Sequence, residues 1–457
     1  MKRFYIEDLG CAKNQVDAEI MLDILQSTGA WSYTEDPQKA DLILVNTCGF
    51  IEPAREESIN SVFSLRAAYP EAKIVMTGCL AERYGKEMDE EFPEVDGFFG
   101  NKDLSYITTV AQDIMEGERV SCFPDYPDLS KRDYMQRKRL LSYPGSAYVK
   151  ISEGCDHRCR YCAIPLIRGS LRSRRQENIV AEVEELIQTG VYEINLIAQD
   201  LAAFGSDRGS SEFMELLDTL SLLPGDFVIR LLYIHPDDFP LELPGLVKRR
   251  EKILPYFDIP FQHAAVPVLK SMGRKGSAEG YLNLLASIRK ELPDAVIRST
   301  FLLGFLNEND ASREELMKFV EDAELDWAGC FIYSLEEGTP AYGDRSNEEH
   351  ERVIGEAESF KPRLEELQER ITEERLQRWV DREVDVLIEE RVSGEELLIG
   401  RIAAQAPEVD GLTVVLSDHG EPGERLRCRI TRVVGVDLEA VPVTGMTAGR
   451  RTQKGVM

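Results

Sequence analysis

Three of the chain's nine cysteines, Cys155, Cys159 and Cys162, fall within one short stretch, Glu153-Gly-Cys155-Asp-His157-Arg-Cys159-Arg-Tyr161-Cys162. The CxxxCxxC spacing is short and uneven, which suits thiolates wrapped around one corner of a small cube. Cysteine thiolates hold iron–sulfur clusters, normally four to a 4Fe–4S cube. Three leave one iron without a protein ligand, and an open iron is a place for chemistry rather than for electron storage. Zinc fits less well. Structural zinc sites use paired CxxC elements, or CxxC with HxxxH, and close a set of four ligands. Here His157 lies between the cysteines, off any usual zinc spacing, and the sequence holds no second CxxC.

A second set is scattered but shares one context. Cys11, Cys48 and Cys79 each stand beside a glycine, in Gly10-Cys11, Cys48-Gly49 and Gly78-Cys79. Residues 2–120 alternate between apolar runs and helical periodicity. Strands are predicted at 4–6, 41–45 and 73–76, with helices at 17–27 and about 53–67. Strand–helix alternation points to an open parallel α/β sheet. In such sheets the loops at the carboxyl ends of the strands form the binding crevice. Each of the three cysteines directly follows a strand, so the fold should gather them into a second three-thiolate site.

Residues 146–372 repeat the alternation about six times. Strands are predicted at 147–151, 193–197, 227–231, 256–259, 295–301 and 327–333. Six βα units suggest a partial (βα)6 barrel, whose active face lies at the strands' carboxyl ends. CxxxCxxC follows the first strand. The same rule brings Gln199 and Asp200, Tyr233 and His235, Gln262 and His263, and Arg298-Ser299-Thr300 to that face. Arg298 has the fork geometry that binds a carboxylate bidentately.

Between these units, residues 121–145 read as a linker broken by Pro124, Pro127, Pro144 and Gly145. Its basic run, Lys131, Arg132, Arg137, Lys138 and Arg139, reads as a solvated tether, with contact to a phosphate as the alternative. A charged helix at 361–379 leads to residues 376–443, where short β-rich runs alternate with glycine turns and suggest a small antiparallel β-barrel. Residues 444–457 read as a disordered tail. Cys122 and Cys330 have no cysteine neighbours and read as structural.

CxxxCx(aromatic)C, with Tyr161 as the aromatic, resembles the signature of the radical S-adenosylmethionine (SAM) enzymes. That resemblance implies SAM chelated by the open iron, and SAM or substrate contacts from Tyr161, Gln199 and Arg298. The stretches GCxKN, NTCGF and TGCLAERYG resemble the N-terminal domain of the methylthiotransferases, over nearly the whole chain. This implies two 4Fe–4S clusters, one on Cys155, Cys159 and Cys162 and one on Cys11, Cys48 and Cys79. GCAKN with NTCGFIEPAREESI is closer to the ribosomal-protein (RimO-type) branch than to the tRNA (MiaB-type) branch. The implied substrate is an aspartate of small-subunit ribosomal protein S-twelve, methylthiolated at its β-carbon. The alternative is a tRNA adenosine. An electron donor such as a flavodoxin or ferredoxin is implied. The C-terminal barrel resembles the TRAM domain. No residue is singled out as a catalytic acid, base or nucleophile. One departure stands out: Gly304-Phe305-Leu306-Asn307-Glu308, where the family usually has Gly-Phe-Pro-Gly-Glu, which implies a different turn.

Charge bears on the choice of partner. Lys and Arg number 54 against 82 Asp and Glu, a net charge of −28. That is the opposite of a nucleic-acid footprint. Residues 381–443 carry seven Arg and no Lys against fourteen Asp and Glu, net −7. A phosphate-tracking surface needs the reverse balance, so a basic protein partner is expected. Free thiols without a pairing pattern, no signal-like N-terminus and no apolar run long enough for a bilayer suggest the reducing cytoplasm and no membrane.

Overall fold

The structure is a computed structural model that describes residues 1–127 and 137–447. The first unit is a six-stranded, all-parallel sheet. Its strand order is Trp31–Tyr33, Lys2–Asp8, Leu42–Thr47, Lys73–Gly78, Gly97–Phe99, Val120–Cys122. Leu42–Thr47 is buried along its whole length. Alternate residues serve opposite faces, as the two-residue strand period requires. Leu42 and Leu44 join Ile20, Met21, Leu22 and Leu25 of the helix Ala12–Ser27. Ile43 and Val45 join Val62 of the helix Glu52–Ala68. The first helix starts at Ala12, five residues before the expected 17, so that Cys11 is its N-cap. The outer strands are only three residues long, too short to show a period in sequence.

The second unit is a six-stranded parallel sheet in the order Trp327–Ile332, Val296–Leu303, Ile253–Asp258, Val228–Leu231, Glu193–Ile197, Ser146–Lys150. These are the six strands expected. The two outermost are not bonded to each other, so the barrel is open. The following helix is Asn347–Leu376, capped by Ser346 and carrying Pro362 inside it. It begins well before the expected 361, because the proline reads as a helix start.

The third unit is a closed barrel of Glu383–Arg391, Leu397–Arg401, Thr413–Leu416, Arg425–Val434 and Asp437–Thr447. Four of its strands match the expected runs. The fifth was not anticipated; it contains Pro442 and extends beyond 443, and its pairing with Thr413–Leu416 is parallel. The rest of the expected tail, from 448, lies outside the described residues, as do Lys131 and Arg132.

Buried ions lock the units together. Arg137 was read as part of a solvated tether, but it is buried. It reaches Glu19 of the first unit (2.5 Å), Glu182 of the second (2.5 Å) and the carbonyl of Tyr148 (2.6 Å). Arg139 pairs with Glu35 and lies over the ring of Tyr33.

Candidate active site

Cys11, Cys48 and Cys79 stand at the carboxyl ends of three adjacent strands. Cys11 caps one helix and Cys79 opens another, Cys79–Met88. Both positions place a cysteine at the positive end of a helix dipole. The loops approach so closely that glycine is required. A Cβ on Gly49 would stand 2.7 Å from the carbonyl of Cys79. Gly78 has φ +89°, and a Cβ there would meet Asn46 and Thr47 at 2.6 Å. Asn14 ties the site together. Its Nδ2 donates to the carbonyls of Leu9 and Thr47, both at 3.0 Å, and its Oδ1 accepts from the Cys79 thiol at 3.2 Å.

The other triad lies in the loop after Ser146–Lys150, ended by the short helix Ile164–Arg168. The N–H of Cys155 bonds Gly169, that of Cys162 bonds Cys159, and that of Arg160 bonds Met272. His157 donates its ring N–H to the Asp200 carboxylate at 2.7 Å and stacks on His235, with ring centroids 4.1 Å apart. Asp200 and His235, both expected on this face, thus hold the loop.

Both triads suit a thiolate-ligated group. A backbone N–H two residues on faces the sulfur of Cys48, Cys155 and Cys162, from Phe50, His157 and Ile164. Burial nevertheless pushes these three thiols up to about 12. Burial also raises the Cys79 thiol, with Arg168 opposing it. Buried sulfurs with backbone donors aimed at them favour added positive charge in place of the proton, which cluster iron supplies.

Loops from both sites line a cavity of about 630 Å³, and of the six cysteines Cys11 is the one on its wall. Gly10, Cys11, Ala12 and Phe50 line it from the first unit, Tyr161, Tyr233, Gln262 and Arg298 from the second, and Pro407, Glu408 and Val409 from the barrel. Cys79 also packs against Ala163, the residue after Cys162. Of the three expected cofactor contacts, Tyr161 and Arg298 meet on this wall. Arg274 donates to the Tyr161 hydroxyl at 3.0 Å. Arg298 is already engaged within the protein, 3.1 Å from Asp258 and 3.4 Å from Asp410 of the barrel. Gln199 is half-buried, is not among the lining residues, and has no protein partner at either end of its amide. Tyr233 and Gln262 both have positive φ, +72° and +69°. Such strain in non-glycine residues gathers at functional sites. The Lys13 ammonium lies 3.6 Å from the centroid of the Tyr233 ring. His263 is buried, its Nδ1 accepting from Ala265 at 3.0 Å. Asn307 has φ +64°. It therefore adopts the left-handed turn that glycine would, since asparagine tolerates that region best after glycine; the expected change of turn is small.

Buried arginines beside the site, Arg168 and Arg274, carry no mark in the sequence, and Arg137 stands there only in a basic run. Their partners lie far away in the chain, so no local spacing marks them.

Family models agree with these three units. Residues 3–100 match the uncharacterized protein family UPF0004, residues 149–320 the radical SAM superfamily, and residues 380–443 the TRAM domain. Among solved structures, the radical SAM methyltransferase TsrM of Kitasatospora setae aligns with TM-score 0.57 at 15% identity, over 75% of this chain and 77% of that one. At that identity the likeness shows the fold alone. Fold and site together define a radical SAM enzyme with a second cysteine triad, whose Cys11 lines the same cavity as Tyr161 of the first. The chain is 40% identical to the ribosomal protein uS12 methylthiotransferases RimO of Treponema denticola (95% of this chain, 99% of the relative) and Natranaerobius thermophilus (95% and 97%). It shares the same identity with that of Aquifex aeolicus (95% of each). The chain belongs to this family of radical SAM methylthiotransferases, whose cofactors are SAM and 4Fe–4S clusters.

Proposed function

We propose that this chain transfers a methylthio group to the β-carbon of an aspartate in small-subunit ribosomal protein uS12. The observation that carries the reading is the single cavity walled by both cysteine loops, in a chain related to uS12 methylthiotransferases over nearly its full length. Cys155, Cys159 and Cys162 would hold the SAM-binding cluster, and Cys11, Cys48 and Cys79 the other. When bound, SAM and its cluster would supply a hydrogen-abstracting radical, and the second cluster would hold the sulfur to be transferred.

The chain's own residues bind, orient and exclude water. Arg274 fixes the Tyr161 ring on the cavity wall. Asp258 and Asp410 fix Arg298. Leu232, Leu302 and Phe331 make much of the lining apolar, which keeps water from a reactive intermediate. The barrel segment Pro407–Val409 completes the wall, so the barrel belongs to the site as well as to substrate capture. A small electron carrier such as a flavodoxin or ferredoxin would deliver the electron, in the cytoplasm. Among the described residues no helix is long and apolar enough to cross a membrane.

The test is mass spectrometry of uS12 from cells with and without this chain. The protein should gain one methylthio group in place of one hydrogen, on an aspartate, only when the chain is present. Unmodified uS12 in both samples would overturn the proposal.

Charge should guide the encounter. Glu390, Glu395 and Glu396 are exposed around one hairpin of the barrel. Glu389 beside them is not part of that surface, since it bonds the buried Arg401 at 2.6 Å. Reversing Glu390, Glu395 and Glu396 to Lys should slow association with the basic uS12, by about tenfold at low salt. The loss should shrink as salt is added, because exposed charges are screened over ~10 Å at about 0.1 M. Stopped-flow binding at two salt concentrations measures it. An unchanged association rate would assign these carboxylates to solvent alone.

A further inference from the structure

We infer that Arg168 sets the electron affinity of the cluster on the N-terminal triad, and so is a positioning residue supplied to one cluster by the loop of the other. The inference rests on Cys11, Cys48 and Cys79 being cluster ligands, as proposed above. Arg168 ends the helix Ile164–Arg168, which starts two residues after Cys162. At its first residue, the Ile164 N–H meets the sulfur of Cys162 at 3.4 Å. At its last, the Arg168 guanidinium crosses to the first unit and places Nη2 3.4 Å from the sulfur of Cys79. One five-residue helix therefore touches a sulfur of each triad.

The guanidinium is held firmly. Its side chain is 3% exposed. Nη2 also donates to Asn14 Oδ1 at 2.8 Å and Asp17 Oδ2 at 2.9 Å, while Nη1 donates to Glu153 Oε2 at 3.1 Å. Lys150 pairs with the same two carboxylates, at 2.5 Å from Asp17 and in close contact with Glu153. The two cations and two carboxylates balance, and Asp17 keeps a partner even without Arg168. Of the four, Arg168 is the group that meets a sulfur. The other side-chain donor to Cys79 is Asn101, longer at 3.6 Å and neutral.

Reducing a cluster adds negative charge to its sulfurs. Hydrogen bonds to those sulfurs and the charge around the cluster set the potential. Groups beyond the ligands tune a metal centre as the ligands do. A buried cation donating to a ligand sulfur favours the reduced form, so removing it should make the cluster harder to reduce.

The test uses the full chain with Cys155, Cys159 and Cys162 all replaced by Ala, so that the N-terminal cluster is the one observed. The cluster is titrated with dithionite through redox mediators, and its reduced form is followed by electron paramagnetic resonance. Adding Arg168→Met should lower the ratio of reduced to oxidised cluster at a fixed poise about tenfold, about 59 mV for a one-electron couple. Arg168→Lys keeps the charge but loses the fork. It should fold, because the carboxylates remain neutralised, and shift the ratio in the same direction by less. Asn101→Leu should shift it less than Arg168→Met. Should Arg168→Met not fold, the Lys and Leu variants decide alone. Unchanged potentials and spectra in the folded variants, with about four irons still bound, would overturn the role of Arg168 and leave the ligand assignment standing. A background chain that folds but binds no iron would overturn the ligand assignment itself, and the inference with it.

Discussion

Replacing Cys155, Cys159 and Cys162 with Ala should abolish both SAM cleavage and methylthiolation, whereas replacing Cys11, Cys48 and Cys79 should abolish methylthiolation and leave SAM cleavage. Each triad closes on its own loops. One is set by the turn between Ser146–Lys150 and Ile164–Arg168, the other by three strand ends of a different sheet. Anaerobic reconstitution should give about eight irons per chain, and about four for either triple variant. Colorimetric iron, chromatography of 5′-deoxyadenosine and mass spectrometry of uS12 read the three quantities separately. Cys330→Ala is the control. Cys330 lies on the strand Trp327–Ile332, belongs to neither triad, and should keep all the iron and product. Full product from the variant without Cys11, Cys48 and Cys79 would make that triad structural.

The strand ends that carry the cysteines were legible because they follow from local rules. A parallel strand buried on both faces is a continuous apolar run, and its end marks the crevice. Leu42–Thr47 and Lys73–Gly78 announce themselves this way, and Cys48 and Cys79 follow them directly. All six strands of the central sheet were legible for the same reason. What no local pattern shows is a partner supplied by another unit. Arg298 stood out as a fork open to a carboxylate, yet Asp410, more than a hundred residues on, already stands beside it. Glu389 is one of the fourteen acidic residues counted in the barrel, yet it bonds the buried Arg401 at 2.6 Å. Arg137 looked like part of a basic tether, and two buried glutamates claim it. Short outer strands failed for a simpler reason: three residues do not display a period.

The buried carboxylate of Glu193 should prove the most damaging single residue to remove outside the cysteines. It sits at the start of the strand Glu193–Ile197, where the barrel meets the central unit. Arg401 of the barrel approaches it at 2.7 Å and Arg230 at 2.6 Å, with Ser146 donating at 3.0 Å. Arg230 in turn donates to the barrel carbonyl of Ala403 at 3.0 Å. Glu193→Ala would leave the buried Arg230 guanidinium without its carboxylate and Arg401 with Glu389 alone. Breaking a buried ion pair from one side costs about 3–5 kcal/mol. A chain of several units does not unfold in one step, so the loss is best read locally, by hydrogen exchange. Amides of Glu383–Arg391 and Leu397–Arg401 should exchange at least about a hundredfold faster, since ~1.4 kcal/mol is a factor of ten. Glu193→Gln should fall between, keeping one acceptor oxygen but losing the charge and the second acceptor. Burial by itself would raise the Glu193 carboxyl, but Arg401 and Arg230 outweigh it and hold it well below the usual carboxylate range. A carboxyl depressed on folding stabilises fully above its unfolded value, about 4.3, and loses that contribution only as pH falls through the lower folded value. The gap in exchange between wild type and Glu193→Gln should therefore be flat from pH 5 to pH 8. Equal exchange in Glu193→Ala and wild type would mean that apolar packing alone seats the barrel. A gap that closes between pH 8 and pH 5 would mean that the carboxylate is not held ionised by the two arginines.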